Sequence, residues 1–261
     1  MIPYLHLGSW EIFTFDALVY GGYSVAVLFL WRQFYEPHTK DLPRLLWLYI
    51  AVVALLGGSL GSRLWVLLPN VQLLFAEPTR FLNRDIFTVS AGSSWYGAFI
   101  LTLVLMGILS KVLHLSLVRV LDITAPCIAV GQVLGRLGCF ISGDGCYGRP
   151  TSLPWGIAFP DGLIPINTPV HPTPIYEALI LFILFVVLWR LRLNGSPAGR
   201  SIGIYLIVSG SERFFVEFVR LHHKVFLGLT AYQIASLFLF LGGCFCFLYS
   251  MGTQKEGGSV V

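Results

Sequence analysis

Apolar residues run through this chain in long blocks, and the polar residues collect between them. A bilayer core of about 30 Å takes about 20 residues of helix, and seven blocks meet that length. They cover residues 15–34, 45–68, 94–113, 118–141, 174–193, 202–219 and 226–251. The pattern predicts an all-α polytopic membrane protein of about seven transmembrane helices with a small outward-facing arm and head. The whole chain, 1–261, reads as one integral membrane domain. Two connecting segments are too long to be simple turns, and both are expected to face outward. Residues 69–93 contain FAEPTRFLNRD and read as an arm or short amphipathic helix at the interface. Residues 142–173 are rich in Gly and Pro, and WGIAFPDG within them reads as a short strand and turn. The tail beyond Met251 is expected to be unordered.

Composition agrees with the pattern. Hydrophobic residues make up 56% of the chain and charged residues 11%, where soluble domains carry roughly 25% charged. A net charge of +4 on so few ionisable groups argues against a nucleic-acid partner. No basic stretch precedes the first block, so that block is expected to be a retained span rather than a cleaved signal. The positive-inside rule sets the orientation. With the N-terminus outside, the inner connections hold Arg32, Lys40, Arg44, Lys111, Arg119, Arg190, Arg192, Arg200 and Lys255. The outer ones hold Arg80, Arg84, Arg149, Arg220 and Lys224. Nine against five favours N-terminus out and C-terminus in. The five cysteines read mainly as small buried hydrophobes. Cys139 and Cys146 lack the CxxC spacing of a metal site, and a disulfide between them stays open.

Polar chemistry concentrates between Gly135 and Glu177. That stretch opens GRLGCFISGDGCYGRPT, closes HPTPIYE, and carries Arg136, Asp144, Arg149, Asp161, His171, Tyr176 and Glu177. Arg63, Arg136 and Arg213 fall inside spans or at their edges, where a charge costs about 2.5 kcal/mol or more. In SERFFVEFVR, Arg213, Glu217 and Arg220 stand at i, i+4 and i+7 and share a helical face. One glutamate against two arginines leaves a cation in excess, and the guanidinium fork suits phosphate oxygens. The competing reading is structural ion pairing between helices, or arginines snorkelling to the interface. HPTPIYE predicts a helix starting near Pro174, with Glu177 in its first turn and His171 within reach of that carboxylate. Tyr20, Tyr96 and Tyr147 each read singly as belt or packing aromatics. Gly57, Gly58, Gly61, Gly131 and Gly135 read as sites of close helix packing, with GxxxG spacing at 57/61 and 131/135.

Together, GRLGCFISGD with CYGR, HPTPIYE and ERFFVEFVR resemble the prolipoprotein diacylglyceryl transferase family. VYGG, GGSLGSRL and SSWYGAF match more weakly, and the pieces follow the family's order over nearly the whole chain. The resemblance implies seven spans and transfer of the diacylglyceryl group of phosphatidylglycerol to the lipobox cysteine of a preprolipoprotein. A thioether forms, glycerol phosphate leaves, and no metal or organic cofactor is required. The implied setting is the bacterial cytoplasmic (inner) membrane, with membrane lipids and a lipobox signal peptide as partners. Matching motifs imply that Arg136 and Arg213 hold the lipid phosphate, with Glu217 and Arg220 supporting them. Tyr20, Arg63, Asp144 and Glu177 match further substrate-site positions, and His171 matches the family's HPxxxYE element. Cys139 and Ser142 replace the signature asparagines, Asp144 its glutamate, and one residue is inserted around Gly145 and Cys146. Tyr96 stands where many members place the histidine regarded as the base, which leaves Tyr96, His171 or the positive field of the arginines alone to activate the thiol. The rival expectations are a paralog with another acceptor and a non-catalytic lipid-binding or transport protein.

Overall fold

A computed structural model of the chain describes residues 1–8, 10–67 and 95–257. The expected arm at 69–93 lies outside them. Among the described residues each apolar block is a helix: α1 Thr14–Gln33, α2 Leu46–Leu67, α3 Trp95–Val112, α4 Leu117–Ser142, α5 Thr173–Leu193, α6 Arg200–Val216 and α7 Ala231–Gly257. Four of these, α1, α4, α5 and α7, are long and apolar enough to cross a membrane. The helices α2 and α3 contribute shorter apolar stretches, Leu46–Ser62 and Gly97–Val112. Large apolar side chains are also exposed on the outer faces, among them Ile183, Phe238, Phe245 and Leu248, each at more than 60%. An apolar exterior on that scale suits lipid as the surrounding solvent. The chain has the architecture of an all-α membrane protein.

The chain divides into two compact units, residues 31–120 and residues 1–30 with 121–261. In the first, α2 and α3 pack through glycine. A Cβ at Gly57 would overlap Thr102, and one at Gly61 would overlap the Gly97 carbonyl, whereas Gly58 faces open space. The 57/61 spacing therefore does mark a helix contact. The same unit is tied by Arg119 to Asp41 at 2.6 Å.

In the second unit α1 crosses α4 at Gly22, where a Cβ would lie 2.9 Å from Leu134 Cβ and 3.0 Å from the Gly131 carbonyl. Gly135 meets nothing, so only the first half of the 131/135 pair is a packing contact. Phe29 sets its ring edge-on to Phe185 and Trp189 of α5. The pair α6 and α7 approaches at Gly203, Gly210 and Gly243, where an added Cβ would collide with the facing backbone. Asp122, fully buried in α4, accepts the backbone N–H groups of Gly199 at 2.5 Å and Ile202 at 2.7 Å. These are donors that the first turn of α6 leaves free, and a carboxylate there complements the helix dipole.

The described residues also form three antiparallel hairpins: β1 Tyr4–Leu7 with β2 Trp10–Phe13, β3 Ile157–Phe159 with β4 Ile166–Val170, and β5 Lys224–Phe226 with β6 Leu229–Thr230. The strand and turn expected of WGIAFPDG are β3 and its turn. Two boundaries depart furthest from the expectation. The last block does not start as helix at Phe226, because Leu227 (φ 47°) and Gly228 (φ 75°) turn the chain into a hairpin and α7 begins at Ala231. The helix α7 also continues past Met251 to Gly257, and residues 258–261 lie outside the described ones.

Candidate functional site

The connection from α4 to α5 is stitched to the end of α6. Arg149 N–H donates to the Val219 carbonyl at 2.7 Å, and Gly148 N–H to the His171 carbonyl at 2.8 Å. The Thr173 hydroxyl, fully buried at the start of α5, donates to the Cys146 carbonyl at 2.6 Å. Gly148 is required by this approach, since a Cβ there would lie 2.6 Å from the Val219 carbonyl. CYGR thus joins three helix ends, each bearing one part of the charged cluster.

Glu177 is the centre of that cluster, with its side chain at 0% exposure. Arg136 Nε of α4 contacts Glu177 Oε2. Arg213 Nη1 of α6 donates to Oε1 at 3.1 Å, and Arg220 Nη2 lies 3.3 Å from the same oxygen. Glu177 sits just past the first turn of α5, so three guanidiniums rather than the helix terminus hold its charge. Arg213 Nη2 also reaches Glu217 Oε2 at 3.3 Å, as the i, i+4 spacing predicts. Arg220 arrives differently. After α6 the chain makes a 3-10 turn over Glu217–Val219, and extended backbone at Arg220 swings its side chain to Glu177. It is 7% exposed; its Nε is buried without a hydrogen-bond partner, and its Nη2 has the ion-pair contact with Glu177 but no hydrogen bond. A buried guanidinium with unused donors is costly by itself and suits an anionic ligand.

Four neighbours of the cluster are not among the residues that the sequence singled out. His222 Nδ1 lies 2.7 Å from Glu217 Oε1, and the Thr230 hydroxyl donates to that oxygen at 2.9 Å. Arg213 lies over the Tyr232 ring, 4.7 Å from its centroid. Glu212 is buried within the field of Arg136, Arg213, Arg220 and Glu177, and its Oε1 has no hydrogen-bond partner. Its place beside Arg213 in the motif was the one available hint. His222 and Thr230 enter only because the β5–β6 hairpin folds back.

The remaining residues divide. His171 turns its ring to Tyr176, Nδ1 to hydroxyl 3.4 Å, and Trp155 Nε1 donates to the same hydroxyl at 2.9 Å. Tyr176, not Glu177, is therefore the neighbour of His171. Tyr147 stacks on Phe159 and donates to the Ile164 carbonyl at 2.7 Å, a packing role. Tyr20 of α1 is half exposed, and among the described residues no hydrogen bond from its hydroxyl reaches the arginines. Arg63 lies in α2 and Tyr96 in the first turn of α3, in the other compact unit; their side chains lie outside the described residues.

Asp144 joins neither glutamate. Its Oδ1 accepts the Cys146 N–H at 3.0 Å, and its carboxylate, Cys139 Sγ and Cys146 Sγ all lie within 4.8 Å of one another. A hydrogen bond from Cys139 holds the Cys146 thiol below its ordinary range, aided by Arg220 and Arg136 and opposed by burial and Asp144. Both cysteines are free thiols.

A family model described as prolipoprotein diacylglyceryl transferase matches residues 3–249. The phosphatidylglycerol–prolipoprotein diacylglyceryl transferase of Cupriavidus metallidurans is 33% identical over 245 residues, 88% of this chain and 84% of that protein. The protein of the same name from Clostridium tetani is 31% identical, covering 91% of this chain and 92% of its own length. That of Oleidesulfovibrio alaskensis is 36% identical over 217 residues, 80% of this chain and 76% of the relative.

Proposed function

The chain belongs to the prolipoprotein diacylglyceryl transferase family, and from that premise we propose that it transfers the diacylglyceryl group of phosphatidylglycerol to the lipobox cysteine of a preprolipoprotein. The acceptor sulfur, as thiolate, attacks the glycerol carbon that bears the phosphate ester. The C–O bond breaks, a thioether forms, and glycerol phosphate leaves with the bonding electrons.

The observation that carries this reading is the convergence of Arg136, Arg213 and Arg220 on the single buried carboxylate of Glu177. Three cations in a water-poor site are placed to stabilise charge that accumulates on a departing phosphate. Arg136 and Arg213 bind the lipid phosphate, with Arg220 adding its unused donors. Glu177 and Glu217 hold the guanidiniums apart and in register, which limits the reorganisation needed when the phosphate arrives. Tyr20 and Asp144 line the substrate path, and Arg63, which belongs to the other compact unit, is assigned to substrate by its motif alone. The acceptor thiol is activated by Tyr96, assigned by its motif position alone, by His171, or by the positive field of the arginines without a base.

On the same reading all seven helices span a bacterial cytoplasmic membrane. The N-terminus, residues 69–93 and residues 142–173 face outward, and the C-terminus faces inward. The altered signature at Cys139, Ser142 and Asp144 favours one second reading, the same phospholipid donor with a different acceptor.

The test uses purified protein with phosphatidylglycerol and a lipobox peptide, following release of glycerol phosphate. The wild type should release it only with the peptide present. Arg136→Ala or Arg213→Ala should reduce release at least a hundredfold while the protein remains folded in detergent. Near-normal release by either variant would remove the phosphate assignment. Release with another thiol or amine but not with the peptide would select the second reading.

A further inference from the structure

The residues at which the signature departs from the family are not scattered in space. Cys139 and Asp144 stand in for its asparagine and glutamate, and Cys146 comes with the inserted residue. The structure gathers two thiols and a carboxylate, with ligand atoms all within 4.8 Å of one another. Two glycines with positive φ, Gly143 at 61° and Gly145 at 88°, bend the chain back so that Cys146 returns to the last turn of α4. The C-x6-C spacing hid this from a search for paired cysteines, because the loop, not a knuckle, brings them together. The cluster is held from three directions. Cys139 is buried on α4, Cys146 N–H fixes the Asp144 carboxylate, and Thr173 fixes the Cys146 carbonyl. Among the described residues Arg136, Arg213 and Arg220 make their ion pairs with Glu177 and Glu217 and none with Asp144, so the phosphate clamp leaves this carboxylate unused.

We propose that Cys139, Asp144 and Cys146 form a three-ligand site for a thiophilic divalent cation of the Zn²⁺ class, with its fourth position open to the acceptor thiol. Two sulfurs and one carboxylate oxygen are a donor set for such an ion, and three protein ligands with an open fourth position mark catalytic rather than structural sites. Zn–S bonds of about 2.3 Å and Zn–O bonds of about 2.1 Å set tetrahedral donors about 3.5–3.8 Å apart, so the cluster must close by about 1 Å. Neighbouring charge does not oppose the ion. Two thiolates and a carboxylate with a dication sum to one negative charge, and Arg136 and Arg220 act electrostatically on this position. The clause about the acceptor rests on the transfer reading above. A thiol that coordinates gives up its proton to solvent and is held as thiolate, which supplies the activated sulfur in a chain lacking the family's histidine at Tyr96.

The test is a Co²⁺ titration of the reduced, metal-stripped full-length protein in detergent, read by the near-ultraviolet thiolate-to-cobalt absorption. One equivalent should produce that band, Cys139→Ser and Cys146→Ser should each abolish it, and Asp144→Ala should weaken Co²⁺ binding at least tenfold. Zn²⁺ should displace the Co²⁺ and bleach the band. This readout needs neither phospholipid nor turnover, so it stands or falls separately from the transferase reading. Absence of the band while both thiols titrate as free overturns the site, and so does recovery of the two cysteines as a disulfide that resists mild reduction. Adding a lipobox peptide should intensify the band, and its Cys→Ser version should not. A band indifferent to the peptide thiol would overturn the acceptor clause.

Discussion

Glu177 faces three guanidiniums with no exposure to solvent, so its removal leaves several buried cations uncompensated. Breaking a buried ion pair from one side costs about 3–5 kcal/mol. Glu177→Ala should therefore lower the thermal midpoint in detergent sharply, whereas Arg136→Ala, from the most exposed of the three arginines, should lower it far less. Equal losses would mean that Glu177 is not the hub. On the proposed reaction, the charge of the cluster turns on Glu212. With Glu212 protonated, Arg136, Arg213 and Arg220 outnumber Glu177 and Glu217 by one cation; with it ionised, no surplus is left for a phosphate. Glu212→Gln fixes the first condition and should keep glycerol phosphate release within about twofold of wild type, while Glu212→Lys should depress it strongly. A hundredfold loss in the Gln variant would show that the ionised carboxylate is needed. The arginines were legible because an intramembrane charge is expensive enough to stand out in an apolar block. Glu212, His222 and Thr230 were not, since only tertiary folding gives them a partner.

At the scale of elements, hydropathy located the seven α-helices of the described residues but not the way each one ends. Asp122 caps α6 through two backbone N–H groups, and α6 carries Arg213. Asp122→Ala should cost about 1–3 kcal/mol of stability, with Asp122→Asn recovering part of it. A denaturation midpoint unchanged in the Ala variant would show that the cap carries no weight. Gly148→Val should be worse, because the side chain would meet the Val219 carbonyl and part the CYGR segment from the Arg220 turn. Its transfer rate should fall with its stability. Apolar content alone could not tell strand from helix at Val225–Phe226, where the left-handed turn at Leu227 and Gly228 decides the matter. It also could not foresee the 3-10 turn that delivers Arg220. The helical-face inference paired Arg220 with the right cluster through the wrong geometry.

For the whole molecule, orientation rests on the Lys and Arg bias of nine against five. A reporter active only in the cytoplasm and fused after Val261 should be active, and the same reporter placed in the connection between α4 and α5 should be silent. Activity at the second position would reverse the orientation. The central claim is the chemistry at the acceptor sulfur, and intact mass of the acceptor peptide reports it most directly. Purified protein given phosphatidylglycerol of defined acyl chains should raise the mass of a lipobox peptide by one diacylglyceryl group, located on its cysteine and resistant to thioester cleavage by hydroxylamine. An unchanged peptide mass, or a mass increase on the cysteine that hydroxylamine removes, would contradict it.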